Sequence, residues 1–395
     1  MVADGLKAEA DRLAPRLVGW RRELHRQPEL AFEEHRTAAF VAERLAELRL
    51  ELRRGVAGTG VLALLRARSG SGPAVLLRAD MDALPIAEVA GREYGSANAG
   101  RMHACGHDGH MAMLLGAASL LVERRDRLVR DVVFCFQPAE ESRGGAQRMI
   151  EAGALEWVDV GSVFALHLWT PFPAGTVHVR AGPVMAAQDE FRARIVGRGG
   201  HGAQPHAAVD PIVAAAQAVT ALQAVVARSV DPLEAAVVTV GALHAGSAPN
   251  VIPGEARLEG TLRSFTPGVR ETLRSRVLEV LEGSARAAGC RVEFDLHPGY
   301  PATVNTAAAV DAVRRAARHV VGVENVHESP PLTAAEDFAY FLRERPGAFV
   351  LVGAGNAERG ITAPHHSAAF DIDEGVLPRG AELLARLALD ESGLT

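Results

Sequence analysis

Residues 102–112, MHACGHDGHMA, hold three histidines, one cysteine and one aspartate. Cys105 and His107, two positions apart on a glycine-containing segment, can present a thiolate and an imidazole to one edge of a metal ion, and such donors suit zinc-like cations. Two ligands do not hold a metal tightly, so the reading depends on partners elsewhere. Glu140 and Glu141 stand side by side in PAEES. Adjacent carboxylates repel and ordinarily mark a solvated turn. At a metal centre they divide the work: one binds the cation and the other stays free as a base toward a coordinated water. His167 closes an apolar run, where a core histidine is the ordinary expectation, and His365 and His366 follow another such run. One cysteine, one or two glutamates and three histidines placed this way are hard to explain as packing. A competing chemistry is a thiol hydrolase with Cys105 as nucleophile and His107 or His110 as base, but it leaves Glu140, Glu141 and His167 without a role.

The elements that must position these residues are short apolar runs. One starts at Ala74 and reaches Asp80 and Asp82, one starts at Val132 and reaches Glu140 and Glu141, and one starts at Val163 and reaches His167. A fourth, Ala348 to Gly355, precedes His365 and His366. Near-continuous apolar strands suit a parallel sheet covered on both faces, and open α/β sheets bind ligands beyond the carboxyl ends of their strands. Helices are expected over 5–27, 33–50, 110–123 and 142–152, which makes the alternation α/β. The middle of the chain differs. A strand over 189–197, a helix over 209–229, strands in 235–246 and 254–265, a helix over 267–288 and a strand over 290–298 give the order βαββαβ of a ferredoxin-like unit.

With 395 residues the chain exceeds a single core of typical size, and two domains are expected. They are a discontinuous α/β catalytic domain, 1–185 and 298–395, mostly parallel in its sheet and flanked by helices, and an inserted α+β domain over 186–297. Hydrophobic residues make up 48% and charged residues 23%, an ordinary soluble composition. A net charge of −6 and 5% aromatics favour neither nucleic acid nor an anionic membrane. Lys7 is the single lysine. Three scattered cysteines do not make a disulfide framework, and Cys135 lies in an apolar run as a packing residue. The N-terminal segment is polar and helix-like without a signal pattern, and no apolar run of about 18 residues is evident, so a cytoplasmic location is expected.

Taken together, RRELHRQPELAFEE (21–34), RADMDALP (78–85), MHACGHDGHMA, FQPAEES, GGHGAQPHAAVDPI (199–212), APNVIPG (248–254), GTLRSF (260–265), AAEDFAYF (334–341) and HSAAFDIDE (366–374) give the chain a specific resemblance. It resembles the metal-dependent amidohydrolase, aminoacylase and carboxypeptidase superfamily, in the branch of hippurate hydrolases, N-acyl-amino-acid amidohydrolases and auxin-conjugate hydrolases. The resemblance implies two divalent metal ions per subunit (Zn, Mn, Co or Ni), held by Cys105, His107, Glu141, His167 and His366, with Glu140 as general base. Counting back from Phe370 selects His366 over its neighbour His365, although Ala368 stands where relatives carry proline. Asp82 would orient a ligand imidazole from behind, and His110 and Asp108 would be structural. His201 would stabilise the oxyanion, brought by the inserted domain of a partner subunit, which implies a homodimer and a lid. Asn250 and Arg263 would hold the carboxylate of a small N-acyl amino acid substrate. A dipeptidase or carboxypeptidase of the same superfamily is the alternative, and a non-catalytic metal-binding relative a more distant one.

Overall fold

The computed structural model describes residues 5–70, 72–141 and 144–389, and the chain divides into two compact units. The first is built from the segment up to Val184, Val304–Pro330 and the segment from Asp337 onward; the second from Met185–Thr303 and Pro331–Glu336.

The first unit holds an eight-stranded sheet in the order Glu51–Val56, Gly60–Leu65, Val132–Gln137, Ala74–Asp80, Val160–Pro173, Gly347–Gly355, Val177–Val179 and Val326–Glu328. Its four central strands, from Val132–Gln137 to Gly347–Gly355, run parallel; the Glu51–Leu65 hairpin joins antiparallel at one side, and at the other Val177–Val179 runs antiparallel to Gly347–Gly355 and parallel to Val326–Glu328. The sheet is therefore mixed, parallel at its centre. Strands Gly60–Leu65, Ala74–Asp80, Val132–Gln137 and Gly347–Gly355 are buried at every position, as strands covered on both faces must be. Helices Leu6–Arg26, His107–Glu123 and Leu377–Leu389 pack on one another, and Ala307–Val321 packs on the last of them.

Two elements differ from the sequence reading in ways that matter for the site. The helix expected from 110 begins at His107, because Gly106 adopts a left-handed φ of 93° and turns the chain into it. The strand expected to end at His167 continues to Pro173, paired with Gly347–Gly355. On its other side its pairing with Ala74–Asp80 ends at Ala165, so His167 stands past that neighbour. Residues 142 and 143 of the helix expected over 142–152 lie outside the described residues; the helix runs Gly145–Glu151.

The second unit is ferredoxin-like. Its antiparallel sheet has the order Ala236–Ala245, Glu255–Ser264, Ala187–Val196 and Arg291–Pro298, with helices Pro211–Ser229 and Pro267–Ala287. Both helices open on a side-chain cap followed by proline, Asp210 accepting from the Ile212 N–H and Thr266 from the Val269 N–H. Phe191, Ile195, Leu258 and Leu262 meet Leu222, Leu273, Val277 and Leu281 in its core. Other strand positions carry charges that meet across strands: Arg194 pairs with Glu293 directly opposite and bonds Glu255 diagonally at 2.8 Å. Helix Pro211–Ser229 is long and apolar enough by composition to cross a membrane, but here it buries Ala214, Ala215, Ala218, Leu222 and Val225 in that core.

Candidate metal centre

Four segments of the first unit bring ligand-type side chains together. Cys105 Sγ lies 3.6 Å from His167 Nε2, His107 Nε2 lies 3.7 Å from Glu141 Oε1, and His366 Nε2 lies 3.3 Å from Glu141 Oε2. The donor atoms of Cys105, His107 and His167 all fall within 4.8 Å of one another, as do those of Cys105, Glu141 and His366, and those of His107, Glu140 and Glu141.

Hydrogen bonds set the tautomers. His107 Nδ1 donates to the carbonyl of Asp82 at 2.8 Å, and His167 Nδ1 donates to the carbonyl of Leu168 at 2.8 Å. Each bond leaves the Nε2 lone pair directed at the cluster, the usual arrangement of an imidazole ligand. His107 Nε2 and Glu141 Oε1 are buried without a hydrogen-bond partner among the described residues. A buried orphan is costly, and a cation between these groups removes the cost. The charges agree. Burial pushes the His107 imidazole down, but Asp80, Asp82 and Glu141 outweigh it and lift its pKa to about 10. Burial, reinforced by Glu141, Glu140 and Asp80, pushes the Cys105 thiol well above its ordinary range. The pocket calls for positive charge, and the donor set fits a divalent metal. A thiol nucleophile needs the opposite environment, so the thiol-hydrolase chemistry loses its footing.

The turn carrying the two glutamates is gripped from outside itself. Asp82 Oδ1 accepts from the Glu140 N–H and Oδ2 from the Glu141 N–H, both at 3.0 Å. Asp82 thus orients His107 chiefly through its carbonyl, while its carboxylate holds the turn. Glu34 accepts from the Ala139 N–H at 2.9 Å. Behind the turn lies a fully buried polar network absent from the sequence reading. Arg78 bonds Gln137 at 2.8 Å, Asp80 at 2.8 Å and Asp337 at 2.9 Å. Asp337 also accepts from Gln137 and from the Ala146 N–H, both at 2.9 Å, and its own N–H donates to Glu140 Oε1 at 3.4 Å. His110 joins this network to the neighbouring strand: Nδ1 meets Asp80 at 2.6 Å and Nε2 accepts from the Leu168 N–H at 2.9 Å.

The adjacent histidines part ways. His365 Nε2 donates to the Leu168 carbonyl at 2.9 Å and its ring stacks on Trp169, with centroids 4.4 Å apart. His366 takes a left-handed φ of 62°, its N–H donates to the Ala104 carbonyl at 2.8 Å, and its ring turns to Glu141. Asp108, beside ligand-type His107, accepts from buried Arg21 at 2.8 Å and meets His25 Nδ1 at 2.7 Å. Arg21 also reaches Asp371 at 2.9 Å and Glu374 at 3.3 Å, which ties the first helix to the segment after His366.

His201, Asn250 and Arg263 belong to the second unit. His201 is exposed in the short strand Gly200–His201, paired with Val251–Ile252. Its Nδ1 accepts from the Ala203 N–H at 3.0 Å, which leaves the proton on Nε2. Exposed Asn250 adjoins it through its carbonyl, which accepts from the Gly202 N–H at 2.8 Å. Arg263, half-buried on Glu255–Ser264, donates to the Leu262 carbonyl at 3.2 Å, and burial lowers its pKa.

Comparison with known proteins agrees with this centre. Residues 76–390 match peptidase family M20/M25/M40. An N-acetyl-L-cysteine deacetylase of Bacillus subtilis is 42% identical over 94% of this chain and 87% of its own, and thermostable carboxypeptidase 2 of Saccharolobus solfataricus is 38% identical over 98% of each. The crystal structure of the Bacillus subtilis YXEP protein, described as a dinuclear metal-binding peptidase of the M20 family, superposes with a TM-score of 0.84 at 35% identity, covering 96% of this chain and 98% of that one. The chain belongs to peptidase family M20/M25/M40 and is a metal-dependent amide hydrolase.

Proposed function

We propose that the enzyme cleaves the amide bond of N-acyl amino acids, releasing a carboxylic acid and an amino acid, with a pair of divalent cations (Zn, Mn, Co or Ni) held by Cys105, His107, Glu141, His167 and His366. The observation that carries this reading is the convergence of those five side chains with two buried orphan atoms among them. When bound, the cations acidify a water and polarise the scissile carbonyl. Glu140, buried and next to Glu141, takes a proton from that water at its carboxylate and returns it to the leaving amine. The water oxygen bonds the acyl carbon, the C–N bond breaks, and both water protons are accounted for between the amine and the ionising acid. The Nε2–H of His201 is the oxyanion donor in this reading, and Arg263 with Asn250 grips the substrate carboxylate. The second unit acts as lid and dimerisation domain, with a second copy supplying His201. Its open edge strand Ala236–Ala245 and the exposed Ile212, Val213 and Leu243 support that role. Three unpaired cysteines suit a cytoplasmic location.

The carboxypeptidase among the relatives favours a second reading, in which dipeptides are the substrates. One assay separates the two. N-acetyl and N-benzoyl amino acids are offered beside dipeptides to enzyme stripped with EDTA and reloaded with Mn²⁺, Zn²⁺ or Co²⁺. The proposal expects N-acyl amino acids to show the higher kcat/KM, no turnover after stripping, and recovery on reloading. Faster dipeptide cleavage selects the second reading, and full activity in the stripped enzyme overturns both.

A further inference from the structure

We infer that Glu34 is a positioning residue for the Glu140 carboxylate, acting through the backbone of Ala139; the inference rests on the reading of Glu140 as the base. Glu34 stands just before helix His35–Glu47, where a carboxylate ordinarily caps, yet its side chain makes no capping bond. It is fully buried instead. Its Oε2 accepts from Thr59 Oγ1 at 2.6 Å and its Oε1 from the Ala139 N–H at 2.9 Å. Ala139 is also fully buried and holds a φ of 56°, in the left-handed region. That conformation is costly for an L-residue and persists only where the surroundings enforce it.

The chain therefore enters the catalytic turn strained, and the next peptide plane decides where the Glu140 side chain points. Three consecutive N–H groups are caught by two carboxylates: Ala139 by Glu34, and Glu140 and Glu141 by Asp82. The exit is equally tight. The Gly145 N–H donates to the Ala139 carbonyl at 3.1 Å, and a Cβ on Gly145 would stand 1.7 Å from the Pro138 oxygen. Asp82 sets where the glutamate pair sits; Glu34 holds the residue before it in the one conformation that aims Glu140. Loss of the Glu34 carboxylate leaves the Ala139 N–H buried without an acceptor, and relaxation of its φ swings the base.

The test uses the full chain. In metal-free protein, hydrogen–deuterium exchange over residues 138–141 reads the Ala139 N–H. It is expected to stay slow in Glu34→Gln, whose amide oxygen still accepts, and to accelerate at least about tenfold in Glu34→Ala. At saturating metal, Glu34→Ala is expected to lose about 10²-fold in kcat with little change in KM, the scale of a small misplacement of a reacting group. Glu34→Gln is expected to recover most of that loss, and Glu34→Ala in a Glu140→Gln background to cost little more than Glu140→Gln alone. Thr59→Val, which removes the hydroxyl that orients Glu34, is expected to act in the same direction and decides the matter should Glu34→Ala not fold. Unchanged kcat and exchange in Glu34→Ala, or in Thr59→Val where that variant decides, overturn the proposal, as does Glu34→Gln as slow as Glu34→Ala. Near-normal turnover by Glu140→Gln defeats the base itself, and Glu34's role with it. An inactive Glu140→Gln beside an unaffected Glu34→Ala defeats the positioning alone.

Discussion

The two units treat charge differently in degree. In the first, Arg21, Arg78, Asp80, Asp108 and Asp337 are fully or almost fully buried, each bonded to more than one polar partner. In the second, Asp189 is buried between Arg270 at 2.6 Å and Arg274 at 2.8 Å, but the charged lattice around Arg194, Glu255 and Glu293 is partly exposed and the helix–sheet core beneath it is apolar. His201 and Asn250 lie exposed on short paired segments, and the His201 side chain bonds only to the nearby Ala203 N–H among the described residues. The difference teaches where preorganisation is needed. A close cluster of buried carboxylates, imidazoles and a thiol must be held in place by surrounding polar groups, because each member costs free energy to bury alone. The roles proposed for His201 and Asn250 ask only that a donor and a carboxylate grip be presented.

The largest expected break in this comparison is Glu140→Gln. It should keep its metals, measured by elemental analysis, and lose about 10³-fold or more in kcat, the upper range for a general base; near-normal turnover would remove the base from the scheme. Next comes Asp337→Ala, which strips one partner from a buried network. Urea unfolding should show a loss of about 3–5 kcal/mol, whereas Arg194→Ala in the exposed lattice should shift nothing measurable. Equal effects would erase the contrast between the units. His201→Ala should cost about 10²–10³-fold in kcat with an unchanged Tm, since its one bond is local; a lowered Tm with intact kcat would make it structural instead.

The smallest effect is one of pH. His178 stacks on Phe172 and lies beside His327, and burial followed by the His327 charge pushes its pKa down to about 4. Its folded pKa lies below the unfolded value of about 6.5, so the unfolded chain binds more protons between those values. The contribution to stability is complete above pH 6.5 and is lost as pH falls toward 4. Tm measured from pH 7 to pH 4 should fall less steeply in His178→Gln than in the parent; parallel curves would refute the assignment.

Much of the first unit was legible because its buried strands read as apolar runs that end in ionisable residues. Glu141, His167 and His366 follow such runs, Cys105 and His107 stand out as a ligand-rich segment of their own, and the structure draws the five together. What escaped is pairing over long separations. Arg78 and Asp337 are 259 positions apart and Glu34 and Ala139 are 105 apart, and each alone reads as an ordinary charge near an element end. His366 is selected over His365 only through the family resemblance, because the backbone angle that turns its ring to Glu141 is not encoded in residue type. The start of the His107 helix was misplaced because ligand-rich residues read as a loop, whereas Gly106 alone supplies the turn. In the second unit the alternating strands and capped helices were plain, since its fold depends on periodicity more than on distant partners.

Arg21 carries a last consequence, for the order of events on the ribosome. Its guanidinium emerges about 350 residues before Asp371 and Glu374, two of the three carboxylates that neutralise it. Until they arrive, docking the first helix would bury a charge only partly compensated, so nascent chain must hold it in solvent. The inserted unit faces no such wait, since the residues of its apolar core all lie between 191 and 296.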